Sequence, residues 1–164
     1  MKELFGQLYI KKILQYALYL FLALVMQNMA FTQIRPLGVC PMWLPAVVVS
    51  VGMFEGPTAG VAFGLLIGIF TDMAFTETTV LFTVLFPLLA FGSGFVSQFY
   101  INRRFFAFMG LALVAELVTA AVQMAVTGIS DAFSADMLQT ALLQTAWSMP
   151  FAALAYVPPA KWIN

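Results

Sequence analysis

Residues 58–75, TAGVAFGLLIGIFTDMAF, decide how this chain is to be read. Glycines recur at every fourth position, Gly60, Gly64 and Gly68, and Asp72 continues the series. Side chains four apart stack on one face of a helix. The pattern therefore predicts a helix from about Thr58 to Phe75 with a bare flank that ends in a carboxylate. In lipid, apolar side chains gain little by leaving the acyl tails, and helices associate through close approach at small residues and through buried polar contacts. The stretch thus predicts a multi-helix integral membrane protein whose packing is specific.

The rest of the chain agrees. Of its 164 residues 63% are hydrophobic and only 9% charged, with mean hydropathy +0.98; a soluble domain carries about 25% charged residues. Six spans of about 20 residues each account for most of the length, so residues 1–164 read as a single transmembrane domain with short loops. Histidine is absent and Cys40 is the lone cysteine, which excludes histidine-based catalysis, a His/Cys metal site and an intrachain disulfide. Zero net charge gives no electrostatic footprint for nucleic acid. No serine is paired with a base, and neither a phosphate-binding loop nor a carboxylate cluster is present, so no enzyme, metal or cofactor is expected. Lys2, Lys11 and Lys12 precede the apolar run Ile13 to Met26, the outline of a signal peptide, but Gln27-Asn28-Met29-Ala30 makes a poor cleavage site. A first span is the better reading.

Apolar length and chain breakers predict six helices. The first runs from about Lys12 to Phe31, followed by a turn-prone piece, Thr32 to Gly38. The second, about Pro41 to Phe54, is short for a span, and Glu55-Gly56-Pro57 ends it. The third carries the glycine series. The fourth covers about Thr79 to Tyr100 with Pro87 inside, the fifth Phe105 to Thr127, and the sixth Met137 to Val157 with Pro150 inside. With the N-terminus in the cytoplasm, six of the seven Lys/Arg residues (Lys2, Lys11, Lys12, Arg103, Arg104, Lys161) fall inside and Arg35 outside. This positive-inside bias favours an even number of spans with both termini cytoplasmic.

Polar residues inside the predicted spans are the candidates for function. Asp72 either reaches a neighbouring helix or a head group, or only marks the end of its helix. Glu116 falls mid-helix, where an ionisable group costs roughly 2.5–3.5 kcal/mol on translocon scales. Thr119, Gln123 and Thr127 extend it into a polar stripe, and Gln144 with Ser148 offers a matching one on the sixth helix. These stripes form an internal hydrogen-bond network, a polar cavity for a ligand or proton, or an interface to another membrane protein. Gly92 and Gly94, with Ser93 and Ser97, form a second small-residue patch suited to seating a helix. Gln27-Asn28, Trp43 and Trp162 suit a membrane–water boundary.

The residues Gln27, Pro41 or Pro45, Gly56-Pro57, the series Gly60, Gly64, Gly68, Asp72, and then Gly92 and Gly94 resemble the pattern of the rod-shape-determining membrane protein family MreD, most closely over Pro45 to Tyr100. That resemblance implies a non-enzymatic subunit of the bacterial wall-elongation machinery in the inner (cytoplasmic) membrane. Its implied partners are the single-span protein MreC, the MreB filament system and the peptidoglycan polymerase–transpeptidase pair, with the glycine face packing the bundle or seating a partner helix. In size and helix count the family is similar to the substrate-binding subunits of energy-coupling-factor transporters. This supplies the alternative expectation, a subunit capturing a small vitamin-type molecule through Glu116, Gln123, Gln144 and Trp147.

Overall fold

The computed structural model describes residues 2–31, 33, 38–74, 80–99, 104–130 and 135–157. Arg35, Glu77, Arg103, Asp131, Lys161 and Trp162 lie outside the described residues, as do the side chains of Lys2, Thr127 and Asp136. Among the described residues six α-helices appear in chain order: α1 (Lys2–Val25), continued by a wider π turn (Met26–Phe31); α2 (Leu44–Glu55); α3 (Pro57–Ala74); α4 (Leu81–Phe99); α5 (Phe105–Ser130); and α6 (Ala135–Ala152), continued by a 3₁₀ turn (Ala153–Tyr156).

Four of these stretches, Ile10–Met29, Pro57–Ala74, Leu81–Phe99 and Phe105–Val126, are long and apolar enough to cross a membrane. Six helices were expected and six are present among the described residues; the other two fall short of these four in length or apolar character. α6 carries Asp136, Gln139, Thr140, Gln144, Thr145 and Ser148 among its 18 residues and is too polar by composition. α2 has 12 residues, about 18 Å of helix, against a hydrocarbon layer of about 30 Å.

α2 is short because it is the axis of the bundle. Its residues Leu44 to Met53 are all buried, as a helix apolar all round must be. The other helices arrange around it with their large apolar residues outward: Leu14, Leu18 and Phe21 on α1, Leu88 and Phe95 on α4, Phe106 and Val114 on α5. Exposed apolar flanks around a small buried core suit a lipid surrounding. Trp43, expected at the membrane boundary, is instead buried, 6% exposed, against the start of this axis.

Both ends of α2 have a local cause. Pro45 sits in its first turn, where a missing N–H costs nothing. At the other end Gly56 adopts φ +99°, open to glycine at little cost, and its N–H closes on Gly52 O at 3.0 Å. Pro57 then starts α3 at once. α4 runs parallel to α2, with Ser93 facing Val49 and Ser97 facing Met53. α5 runs antiparallel to α2: Gln123 meets Met42, while Phe105 and Phe108 pack on Tyr156, whose ring also meets Phe54.

Candidate functional site

Three places gather the polar and small residues of the sequence. The first is the seam between α3 and α4. A Cβ on Gly64 would lie 2.9 Å from Phe86 O, and one on Gly68 would lie 2.5 Å from Phe82 O. One on Gly60 would meet Gly52 Cα at 2.7 Å, and one on Gly94 would meet Pro57 N at 2.7 Å and Gly52 O at 2.9 Å. Gly52, which no series in the sequence marks, is therefore the centre: α2, α3 and α4 approach backbone to backbone around it. The helix lodged along the α3 flank is α4 of the same chain: it buries Gly64 and Gly68, while Gly60 is buried by α2 and α4 together. Gly92 is placed otherwise. It is exposed, and a Cβ there would meet nothing within 4 Å.

Asp72 lies one turn beyond Gly68 on that face, and the close seam lets its short side chain reach the start of α4. Oδ1 accepts from Phe82 N at 3.0 Å; Oδ2 accepts from Thr83 N at 2.7 Å and from Thr83 Oγ1 at 2.6 Å. The first N–H groups of a helix have no partner within it, and an anion there also meets the positive end of the helix dipole. Asp72 is thus a cap delivered from a neighbouring helix.

The second place is the entry to α2. Residues 39–43 are not helical, yet Val39 and residues 41–43 are buried. Non-helical backbone at that depth is tolerated only where protein satisfies it. Pro41 has no N–H to satisfy. Its carbonyl accepts from Gln27 Nε2 at 3.1 Å, Met42 N donates to Ser148 Oγ at 2.8 Å, and Trp43 N donates to Gln27 Oε1 at 3.2 Å. Gln123 Nε2 reaches Met42 Sδ at 3.6 Å, and Ser148 in turn donates to Gln144 O at 2.7 Å. Gln27, Gln123 and Ser148, from the π turn, α5 and α6, therefore converge on one short segment.

Glu116 stands apart from this cluster. It lies on α5 between Phe108 and Gln123 and is 3% exposed, but its Oε1 accepts no hydrogen bond among the described residues. Thr119 turns back to Ala115 O at 2.8 Å, the local bonding open to any helical threonine. Ser148→Ala is therefore expected to lower stability by about 1–2 kcal/mol, since Met42 N–H is left buried and unpaired. Glu116→Met, close in volume, is expected to leave stability unchanged or raise it. Reversible unfolding in mixed micelles measures both, and a larger loss for Glu116→Met would contradict the placement.

The third place holds α1. Lys12 and Tyr16 both bond the Glu55 carboxylate, Tyr16 OH at 2.7 Å, and Tyr19 OH lies 3.4 Å from Ser50 Oγ. With Ala23 and Gln27 these residues make one stripe along α1, at spacings near the helical repeat. The sequence reading took Glu55 only as part of a break. Its partner is 43 residues away, and no local spacing signals such a pair.

The chain as a whole matches no curated protein and no solved structure. Its residues 10–160 match the family described as rod shape-determining protein MreD. With that match spanning nearly all of an all-helical chain that has four helices apolar and long enough for a membrane, this protein belongs to the MreD family.

Proposed function

We propose that the chain is a non-enzymatic, multi-pass subunit of the wall-elongation machinery that sets rod shape. It resides in the bacterial inner membrane with both termini in the cytoplasm. It seats the membrane helix of an MreC-like single-span partner on the outer face of α4, around Gly92. Family membership supports the role in rod-shape determination.

The observation that carries the docking is the contrast among the glycines. Gly60, Gly64, Gly68 and Gly94 are filled by their own chain, whereas Gly92 is open. Around it Leu88, Phe91, Phe95 and Phe99 are exposed, with Phe91 stacked on Phe95 at 6.2 Å between ring centroids and Phe99 tilted against Phe95 at 4.9 Å. A small residue beside an apolar ridge is where a second helix gains most from close approach in lipid. Lys11, Lys12 and Arg104 lie toward the end of the bundle that carries Glu55, and the positive-inside bias supports that end as cytoplasmic. There the complex meets the MreB filament system. The peptidoglycan polymerase and transpeptidase complete the assembly, as the family resemblance implies.

Gly92→Leu is expected to cut co-purification of the single-span partner at least tenfold, about 1.4 kcal/mol, and to turn rods into round cells. Its thermal stability should stay at the parent value, because the added side chain enters open space. Undiminished co-purification with normal rods would refute the docking. The transport alternative needs Glu116, Gln123, Gln144 and Trp147 around a ligand. Gln123 is instead turned to Met42, and Trp147 is 39% exposed on the outside.

A further inference from the structure

A cleft of about 410 Å³ opens between α1 and the α2–α3 pair. Its floor is Val51 and Phe63, its walls are Tyr16 and Leu20 on one side and Ala59 and Ala62 on the other, and Lys12 and Glu55 stand at one mouth. The cause is the way α1 is attached. Its polar stripe grips α2 through Glu55, Ser50 and the 41–43 segment, and the rings of Tyr16 and Tyr19 rest on Phe63 at 6.2 and 6.0 Å. Beside Phe63, α3 presents Leu66 and the two small residues Ala59 and Ala62, and at these alanines the two helices leave the space open.

We propose that this cleft is a lipid site: it takes one acyl chain of a phospholipid whose anionic head group binds at Lys12. Three arguments select that occupant. The lining is almost wholly apolar, and a void of this kind neither holds water nor keeps its walls' dispersion contacts when empty. A helix of about 10 Å diameter fills roughly 400 Å³ with each 5.4 Å turn, so a partner span would exhaust the space in a single turn, whereas a methylene chain threads it.

The charge at the mouth then selects the head group. An ammonium has three N–H donors. Lys12 spends one on Glu55 and is still 46% exposed, which leaves donors for a phosphate. Lys11 and Arg104 are exposed toward the same end and add to its pull on an anionic leaflet. The site does not depend on how α4 meets a partner.

The test uses the full chain purified in detergent with phosphatidylglycerol or phosphatidylcholine of identical acyl chains, and native mass spectrometry to count retained lipid. One phosphatidylglycerol per protein is expected, retained at least tenfold over phosphatidylcholine. Ala62→Phe should lose both lipids. Lys12→Gln should lose the preference but keep a chain. Equal retention of the two lipids by the parent protein, or undiminished phosphatidylglycerol on a folded Ala62→Phe variant, would overturn the proposal.

A measurement without variants guards against misfolding. Phosphatidylglycerol carrying a mid-chain diazirine should label peptides covering 13–20 and 59–66. Labelling spread evenly over the outer faces of α4 and α5 would overturn the site. So would capture, in native membranes, of a protein helix crosslinked through position 59 or 62.

Discussion

Gly52→Leu is expected to abolish the native bundle. The first added atom would sit inside the contact distance of Ala90 O, 2.6 Å from Ser93 Oγ and 3.1 Å from Ala90 C. Two of these three obstacles are backbone, so no rotamer relieves the clash and α2 must part from α4. Overpacking in a core costs about 1–3 kcal/mol for extra methylenes. A whole leucine side chain at a three-helix backbone contact exceeds that range and consumes much of a typical 5–15 kcal/mol of stability. Gly64→Leu belongs to the same class, with Phe86 O and Pro87 N at 2.9 and 3.0 Å. It should therefore lose partner association by losing its own fold, not by blocking a docking face. The measurement compares Gly52→Leu, Gly64→Leu and Gly92→Leu for yield of monodisperse protein and for unfolding midpoint. Equal behaviour of the three would remove the basis for placing Gly52 at the centre.

Asp72→Ala is expected to cost about 3 kcal/mol. Two backbone N–H groups and one hydroxyl lose their acceptor together; an unpaired buried donor costs about 1–3 kcal/mol, and partial exposure of this end keeps the sum below the maximum. Asp72→Asn retains one carbonyl acceptor but loses the charge facing the helix dipole, and a cost of about 1 kcal/mol is expected. Hydrogen exchange at the amides of Phe82 and Thr83 reads the effect directly. It should accelerate about a hundredfold in Asp72→Ala, because 1.4 kcal/mol is a factor of ten. Unchanged exchange at these two amides would show that the cap carries no weight.

What the sequence made legible follows from where the information lies. The spacing of Gly60, Gly64, Gly68 and Asp72 is local, so it identified both the face that packs and the residue that ends it. Which helix would fill that face is not a local property. α4 does so by running antiparallel to α3 along the same seam, with Phe86 against Gly64 and Phe82 against Gly68. Gly52 gave a weaker sign: a lone glycine inside an apolar helix costs about 1 kcal/mol and calls for a packing reason, but without a repeat it points to no partner.

A proline suits the first turn of a helix, and the start of the second helix offers both Pro41 and Pro45. Only Pro45 occupies one, because Pro41 serves the buried lead segment, where its missing N–H removes one group to satisfy. Trp43 illustrates the same limit. Its chemistry suits an interface, yet its depth is set by that lead segment. Gln123 and Ser148 could be recognised as intramembrane polar groups, while their shared target, Met42, lies 81 and 106 residues away.

That last distance bears on how the protein is made. A ribosome adds about 5–20 residues per second, so the hydroxyl that receives the Met42 amide emerges roughly 5–20 s after the amide itself. Through this interval the central helix has left the exit tunnel with the Met42 amide unsatisfied and without a complete α6. The innermost element of the finished molecule is therefore among the last to settle, and a nascent chain stalled before residue 148 should hold it near water or an insertase instead of in its final seat.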